Sequence, residues 1–409
     1  MIPRMGAAEA RAIELDDLAR RAAGVTLDAE ETRRFGRHLT LPEVGLAGQR
    51  RLKASRVLLV GAGGLGSPLG LYLAAAGVGT LGLVDDDRVE VSNLQRQVLY
   101  GESDLGRAKV EAASQRLWDV APTVEIEPHG ERFTAANARE LVERYDVVAD
   151  GSDNFPTRYL VNDACVHAGR PEVWGAVERF EGQLAVFWGG RGPCYRCLFP
   201  EPPPPGLVPS CAEAGVLGVV PGVVGALMAG EVVKLLLGIG EPALGRLLVF
   251  DALRLRFREL RLAKNPDCPI CGAAPRLTEL AEYAAACNQE DEDMTGEDGI
   301  EGEVPFDVDV QQLKAWLDKG RDLVLIDVRE PHEHQICRID GSLLVPLAEL
   351  PRRWQELDSD ALVVVHCHHG PRSSHAVQFL RRQGFARATN LAGGIEAWSL
   401  YVDPDVPRY

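Results

Sequence analysis

The chain is 409 residues long, too long for one ordinary hydrophobic core, so two domains are expected and a small disulfide-stapled fold is excluded. An apolar fraction of 46% and a charged fraction of 25% are those of an average globular protein. The formal net charge of −16 argues against a general nucleic-acid binder, while a local basic pocket for a nucleotide is compatible with it. Residues 290–303 carry eight acidic residues and no basic one, the composition of a solvated linker. The first residues mix Arg4, Glu9, Arg11, Glu14, Asp16 and Asp17 with short apolar stretches and lack a secretory core. A cytoplasmic location is expected. Nine cysteines, an odd number, in a reducing compartment point to metal binding or catalysis rather than to disulfides.

Residues 56–60 (RVLLV) are a short β-branched-rich run entering the glycine cluster Gly61, Gly63, Gly64 and Gly66, which predicts a strand and a tight turn. Pro68 opens a helical stretch that Gly77 ends, and residues 80–84 (TLGLV) form a second strand closing on Asp85. Residues 146–149 (DVVA) give another buried strand, followed by Asp150, Asp153 and Asn154. Strands alternating with helices predict a parallel, doubly wound, Rossmann-like α/β domain. The prolines at 202–205, with Gly206 and Pro209, break regular structure and predict an irregular crossover of the kind that serves a site. Residues 214–230 carry no charge, but Pro221 and several glycines interrupt them and Glu231 and Lys234 follow. A buried helix is expected there rather than a membrane span.

Beyond Cys271 the composition turns alanine-rich and then acidic until about residue 303. A smaller α/β domain follows, with a helix at 310–318, strands at 323–326 and 362–365, and a helix from about 373 to 383. The expected organisation is an N-terminal extension (1–30), a nucleotide domain (31–275), an acidic linker (276–303) and a C-terminal domain (304–409).

G-A-G-G-L-G at 61–66, between a strand and a helix and with Asp85 closing the next strand, fits a nucleotide-binding turn that a nicotinamide or flavin enzyme would share. The next stretch discriminates. V-D-D-D-R-V-E-V-S-N-L-Q-R-Q at 84–97, then Gly106, Lys109 and D-G-S-D-N at 150–154, closely resemble the MoeB/ThiF branch of the ubiquitin-activating enzyme superfamily, over about residues 33–271. The resemblance implies that Asp85 holds the ribose of ATP, that Asn93, Arg96 and Lys109 grip the triphosphate, and that Asp153 helps to hold Mg²⁺. Asp87, Ser92, Leu94, Gln95 and Asn154 belong to the same implied nucleotide site. Arg37, in R-R-F-G-R-H, matches a family arginine that reaches the ATP of a neighbouring subunit, which implies a homodimer. Chemistry agrees with these roles: attack of a carboxylate on the α-phosphate brings two anions together, so cations and a metal must neutralise the developing charge.

Cys194 and Cys197 (C-Y-R-C) and Cys268 and Cys271 (C-P-I-C) are two chelating pairs suited to a closed, structural four-thiolate Zn²⁺ site; redox-active pairs are the competing reading. The MoeB/ThiF branch carries pairs at corresponding places, which favours zinc. Cys211, in P-S-C-A-E-A-G beyond the proline-rich crossover, matches the family's loop cysteine and is a candidate to receive the activated carrier as a thioester or acyl disulfide.

Residues 362–365 (LVVV) lead through His366 into Cys367 and then H-H-G-P-R-S-S-H, a strand-end cysteine facing a helix N-terminus with Arg372 beside it, where backbone N–H groups favour a sulfur anion. C-x-x-G-x-R-S, with L-I-D-V-R-E-P-H-E at 325–333, I-D-G-S at 339–342 and N-L-A-G-G-I-E-A-W at 390–398, resembles the rhodanese family across about 304–402. The resemblance implies a persulfide on Cys367 and a loop supported by Arg372. The related phosphatase loop is one residue longer, so the shorter loop favours sulfur over phosphate. Where the family often has Gly-His, this chain has Cys337-Arg338, which bears on loop packing. Cys165, Cys287 and Cys337 have no motif, and structural or incidental roles are expected.

Together the modules imply an adenylyltransferase and sulfurtransferase. It would adenylate the C-terminal glycine of a ubiquitin-like sulfur carrier ending in Gly-Gly, then pass sulfur from Cys367, directly or through Cys211, to form a thiocarboxylate. The implied sulfur donor is a cysteine desulfurase or thiosulfate. Two rivals stand at this point. An NAD-dependent, zinc-containing oxidoreductase leaves Arg96, Lys109 and the Cys367 loop without a task, and a non-catalytic scaffold leaves both candidate nucleophiles unexplained.

Overall fold

The computed structural model describes residues 16–203, 215–282 and 304–409, and these fall into two compact units, one formed by the first two stretches and one by the third. The first unit is built on eight strands: β1 (Arg56–Val60), β2 (Thr80–Val84), β3 (Glu125–His129), β4 (Val147–Asp150), β5 (Glu172–Glu178), β6 (Glu181–Phe187), β7 (Arg246–Asp251) and β8 (Arg256–Arg261). Their spatial order is β3-β2-β1-β4-β5-β6-β7-β8. Neighbours from β3 to β5 run parallel, while β5 to β8 run antiparallel. The antiparallel extension departs from the all-parallel expectation, and its cause is connection length. Only Arg179 and Phe180 separate β5 from β6, too few for a parallel crossover, and Arg179 takes the positive φ of 52° that a tight hairpin requires.

Alternation along β1 sends Val57 and Leu59 to one face and Leu58 and Val60 to the other. Helices α1 (Gly66–Ala76), α2 (Lys109–Val120), α3 (Phe155–Ala168) and α4 (Val219–Leu237) cover both faces, with α1, α2 and α4 on the first and α3 on the second. In α4, Val220, Val224, Met228 and Val232 recur at helical spacing and are buried. Pro221 sits in its first turn, where a missing N–H costs nothing. By length and composition α4 could cross a membrane, yet 56% of its most apolar stretch is buried inside the protein, as expected of a core helix. The turn between β1 and α1 depends on two glycines. Gly61 has φ +90°, and a Cβ on Gly66 would lie 2.1 Å from the Gly61 carbonyl oxygen, so only glycine lets the helix start so close to the strand.

The second unit holds five parallel strands, β9 (Asp307–Val308), β10 (Val324–Asp327), β11 (Leu343–Leu344), β12 (Val363–His366) and β13 (Ala388–Leu391), in the order β11-β10-β12-β13-β9. Helices α5 (Val310–Asp318), α6 (Pro331–Ile336), α7 (Pro371–Arg382) and α8 (Gly394–Tyr401) complete it. Asp309 caps α5 by accepting the Gln312 N–H at 2.7 Å, which places the helix at the predicted residues. Ile326, Val363 and Val365 pack with Ala376, Val377 and Leu380 on one face. Leu325 and Val364 pack with Leu313, Ile395 and Trp398 on the other.

Candidate nucleotide, zinc and sulfur sites

The carboxyl ends of β1, β2 and β4 open on a cavity of about 380 Å³ where the strand order reverses, the place at which doubly wound sheets bind ligands. Gly61, Gly63 and Gly64 form its floor, and Asp85, Asp87, Arg96, Lys109, Asp153 and Asn154 line it. Asp85 accepts the Ala62 N–H at 2.8 Å and the Asp87 N–H at 3.0 Å, which fixes its carboxylate at the strand end. Burial pushes the Asp85 pKa up, and the Lys109 ammonium 3.9 Å away works against that shift. Lys109 is itself buried and bonds Asp87 at 2.7 Å. Arg96 donates to the Ser92 carbonyl at 2.8 Å, which holds its stem along the wall. Asn154 accepts the Thr157 N–H at 2.9 Å and so caps α3, positioning the 150–154 turn.

The remaining predicted positions lie elsewhere. Ser92, Asn93, Leu94 and Gln95 do not line the cavity; the buried Asn93 amide oxygen accepts the Glu90 N–H at 3.2 Å and shapes the turn that presents Arg96. Gly66 serves helix packing behind the floor. Arg37 is exposed in the short helix Gly36–Leu39, outside the cavity. Cys211 lies outside the described residues, as do Cys287 and most of the expected linker. Gln97, the last residue of the 84–97 motif, also lines the cavity, as do Arg132, Phe133 and Arg158, which carry no motif. Arg158 lies one helical turn beyond Asn154 on α3. Its guanidinium donates to the Ser152 carbonyl at 3.2 and 3.3 Å and faces the Phe155 ring.

Cys194, Cys197, Cys268 and Cys271 converge from two distant segments, with all four sulfurs within 4.8 Å of one another. Sulfur separations of 3.5 Å (Cys194–Cys268 and Cys197–Cys271) and 3.9 Å (Cys194–Cys197) match the ~3.8 Å edge of a tetrahedron with ~2.3 Å Zn–S bonds. Hydrogen bonds from Cys194 and Cys271, and the Asn265 N–H at 3.4 Å, favour the Cys197 thiolate. The donor set fits a closed zinc site. Cys165, by contrast, is fully buried, and burial beside Glu172 and Asp150 pushes its thiol pKa up, the setting of an inert thiol.

In the second unit Cys367 directly follows β12 and has no solvent exposure. Its Sγ accepts the Gly370 N–H at 3.1 Å, and the Ser373 hydroxyl lies 3.3 Å from Sγ and 2.9 Å from the Gly370 carbonyl. The strand end, the Gly370 turn at φ +118° and the start of α7 thus wrap the sulfur in donors. Arg372 makes two 2.8 Å bonds to Glu333 on α6, tying the loop to that helix. Burial would raise the Glu333 pKa, but Arg372 and the Glu330 N–H hold it below its ordinary value. Beneath the loop, burial alone would raise Asp327, yet Arg329, His366 and His334 hold it at about 2. Burial also lowers His366 and His368 to about 4, so both imidazoles are neutral at pH 7.

A family profile of the ThiF family matches residues 35–270, and one of the rhodanese-like domain matches residues 309–401. The chain belongs to the ThiF family. Among curated ThiF-family relatives, the chain is 46% identical over 389 residues to a protein of Mycobacterium tuberculosis named probable adenylyltransferase/sulfurtransferase MoeZ, covering 94% of this chain and 96% of that one. It is 46% identical over 434 residues to the adenylyltransferase and sulfurtransferase MOCS3 of Bos taurus, covering 99% and 92%. To the sulfur carrier protein adenylyltransferase of Thermus thermophilus it is 57% identical over 263 residues, covering 63% and 97%. Among solved structures, E. coli MccB superposes with a TM-score of 0.54 at 22% identity over 61% of this chain and 75% of that one, a likeness of fold. The nicotinamide-oxidoreductase and scaffold readings find no support in these matches.

Proposed function

We propose that this ThiF-family chain is an ATP-dependent adenylyltransferase and sulfurtransferase acting on a ubiquitin-like sulfur carrier protein. The observation that carries this reading is the pairing, in one chain, of a cavity lined by Arg96, Lys109 and Asp153 with a Cys367 loop that surrounds sulfur with donors. The relatives' printed names support it over nearly the whole chain.

The carrier's C-terminal glycine carboxylate attacks the α-phosphorus of ATP; the bond to pyrophosphate breaks and an acyl-adenylate forms. In this reading Asp85 would hold the ribose, Arg96 and Lys109 would face the phosphates, and Asp153 would help to hold Mg²⁺, which would add positive charge at the phosphates. The terminal sulfur of a Cys367 persulfide then attacks the acyl carbon, and AMP leaves. Two equivalents of a thiol reductant, oxidised together to a disulfide, cleave the resulting acyl disulfide to thiocarboxylate and Cys367 thiolate. Cys211 is the alternative acceptor of the acyl group.

The four cysteines hold Zn²⁺ as a structural staple. A homodimer in which Arg37 reaches the partner's nucleotide, as the family resemblance implies, belongs to the same reading. The site residues, the domain limits at 31–275 and 304–409, a desulfurase or thiosulfate as sulfur donor, and the cytoplasmic location belong to the same proposal. ATP–pyrophosphate exchange, stimulated by a carrier ending in Gly-Gly and lost when the terminal glycine is removed, tests it; exchange independent of any such carrier would overturn it.

A further inference from the structure

Beyond α8 the chain turns back toward the sulfur loop. Ser399 holds the turn through a 2.6 Å bond to the Val406 carbonyl, and Arg408 donates to Glu396 at 2.7 Å. Tyr409 then meets three groups around Cys367. Its ring stacks on His368, the residue after Cys367, with centroids 4.4 Å apart and planes at 9°, and His368 stacks in turn on His369 at 4.0 Å. Its hydroxyl accepts from Arg329 at 2.8 Å and donates to Glu333 at 3.1 Å. Arg329 is bonded to the buried Asp327, and Glu333 holds Arg372. One phenol therefore links the loop's histidines, the loop's arginine and the ion pair under the loop. Tyr409 is 40% exposed, so these contacts rather than deep burial keep it in place.

We propose that Tyr409 is a positioning residue for sulfur loading: by stacking on His368 and bridging Arg329 to Glu333 it holds the Cys367 loop with the Gly370 N–H and Ser373 hydroxyl on the sulfur. The proposal rests on the reading of Cys367 as the sulfur carrier. In the loading step the Cys367 thiolate attacks the outer sulfur of a donor persulfide, the donor S–S bond breaks, and the donor thiolate leaves. Charge and oxidation level balance, and the new terminal sulfur is an anion that needs the same donors.

The stack has a second effect. His368 is faced by His369 on its own loop, by Tyr409, by Glu396 on α8 at 3.8 Å, and at longer range by Glu333 and Arg329. Burial, with His369 next, keeps it neutral. Without the tyrosine ring its imidazole meets water and titrates near its ordinary value of about 6.5, beside the nucleophile.

The test uses the full chain and the variants Tyr409→Phe and Tyr409→Ala. Persulfide formation on Cys367 from glutathione persulfide is read by mass spectrometry, iodoacetamide alkylation of Cys367 is followed against pH, and thermal stability is recorded alongside. The expected result is a loss of about tenfold or more in loading rate for Tyr409→Ala. Its alkylation profile should gain an inflection between about pH 6 and 7, which His368→Asn removes. Tyr409→Phe keeps the ring and should show no inflection. Loading and alkylation unchanged in Tyr409→Ala would overturn the proposal; so would slower loading with a lower melting temperature and no new inflection, the mark of a merely structural role. Wild-type protein that never takes sulfur on Cys367 would overturn the sulfur reading itself, while the alkylation profiles still decide the clamp.

Discussion

The ammonium of Lys109 stands 2.7 Å from the Asp87 carboxylate inside the cavity at the strand ends, so under the proposed function the cation meant for the triphosphate is held beforehand by an anion. Replacing Lys109 by methionine removes the buried cation and leaves Asp85 and Asp87 unopposed. Carrier-dependent ATP–pyrophosphate exchange is expected to fall by roughly 10²–10³-fold, with folding retained by circular dichroism. Exchange within threefold of wild type would remove Lys109 from the phosphate site.

The two chemistries are separable. Cys367→Ala should leave exchange intact and abolish thiocarboxylate on the carrier, read by mass spectrometry as the loss of the +16 Da product (sulfur, about 32, for oxygen, about 16). Loss of both activities would contradict the division of labour between the units.

Zinc at the four-cysteine cluster predicts one equivalent of metal per chain by elemental analysis. Cys268→Ser, or prolonged chelation, should lower the melting temperature and the zinc content together, at a cost of several kcal/mol in stability. Full stability in metal-free protein would leave the cluster as four packed thiols.

Acid should weaken the second unit in two steps. The folded pKa of His366 is about 4, below its ordinary value of about 6.5, so the unfolded chain binds the proton first. Stability is complete above about pH 6.5 and falls as pH drops toward 4, by on the order of 3 kcal/mol. The folded pKa of Asp327 is also depressed, to about 2 from 3.8, so its contribution, on the order of 2 kcal/mol, is present above about pH 4 and lost toward 2. Calorimetry of the full chain across this range checks both windows, and His366→Asn should flatten the upper one. A melting temperature indifferent to pH between 6.5 and 4 would contradict the first.

Gly66→Ala places a methyl carbon 2.1 Å from the Gly61 carbonyl oxygen, a backbone atom that cannot yield cheaply. The first unit should lose about 3 kcal/mol or more, and nucleotide binding measured by calorimetry should weaken with it.

Much of this was legible because local chemistry and tertiary role coincide. The run at 56–60 is a strand whose period matches two buried faces, and Asp309 marks the start of α5 by its capping side chain. The antiparallel β6 to β8 were less legible, since a two-residue hairpin carries little sequence signal when its positive φ falls on Arg179 rather than on glycine. At the nucleotide site, the motif at 92–95 identifies a turn whose residues support Arg96 instead of lining the cavity. Phe133 and Arg158 reach the cavity only through folding of separate segments, as Glu333 and Tyr409 reach the sulfur loop. Such pairings depend on three-dimensional proximity across tens of residues, which no local pattern encodes.

Cys367 has no solvent-exposed surface, and that seclusion bears on its chemistry over time. A thiol or persulfide in such a niche is shielded from peroxide and so from the climb through sulfenic to irreversibly oxidised acids. Under the proposed function, an idle enzyme would keep its cargo intact.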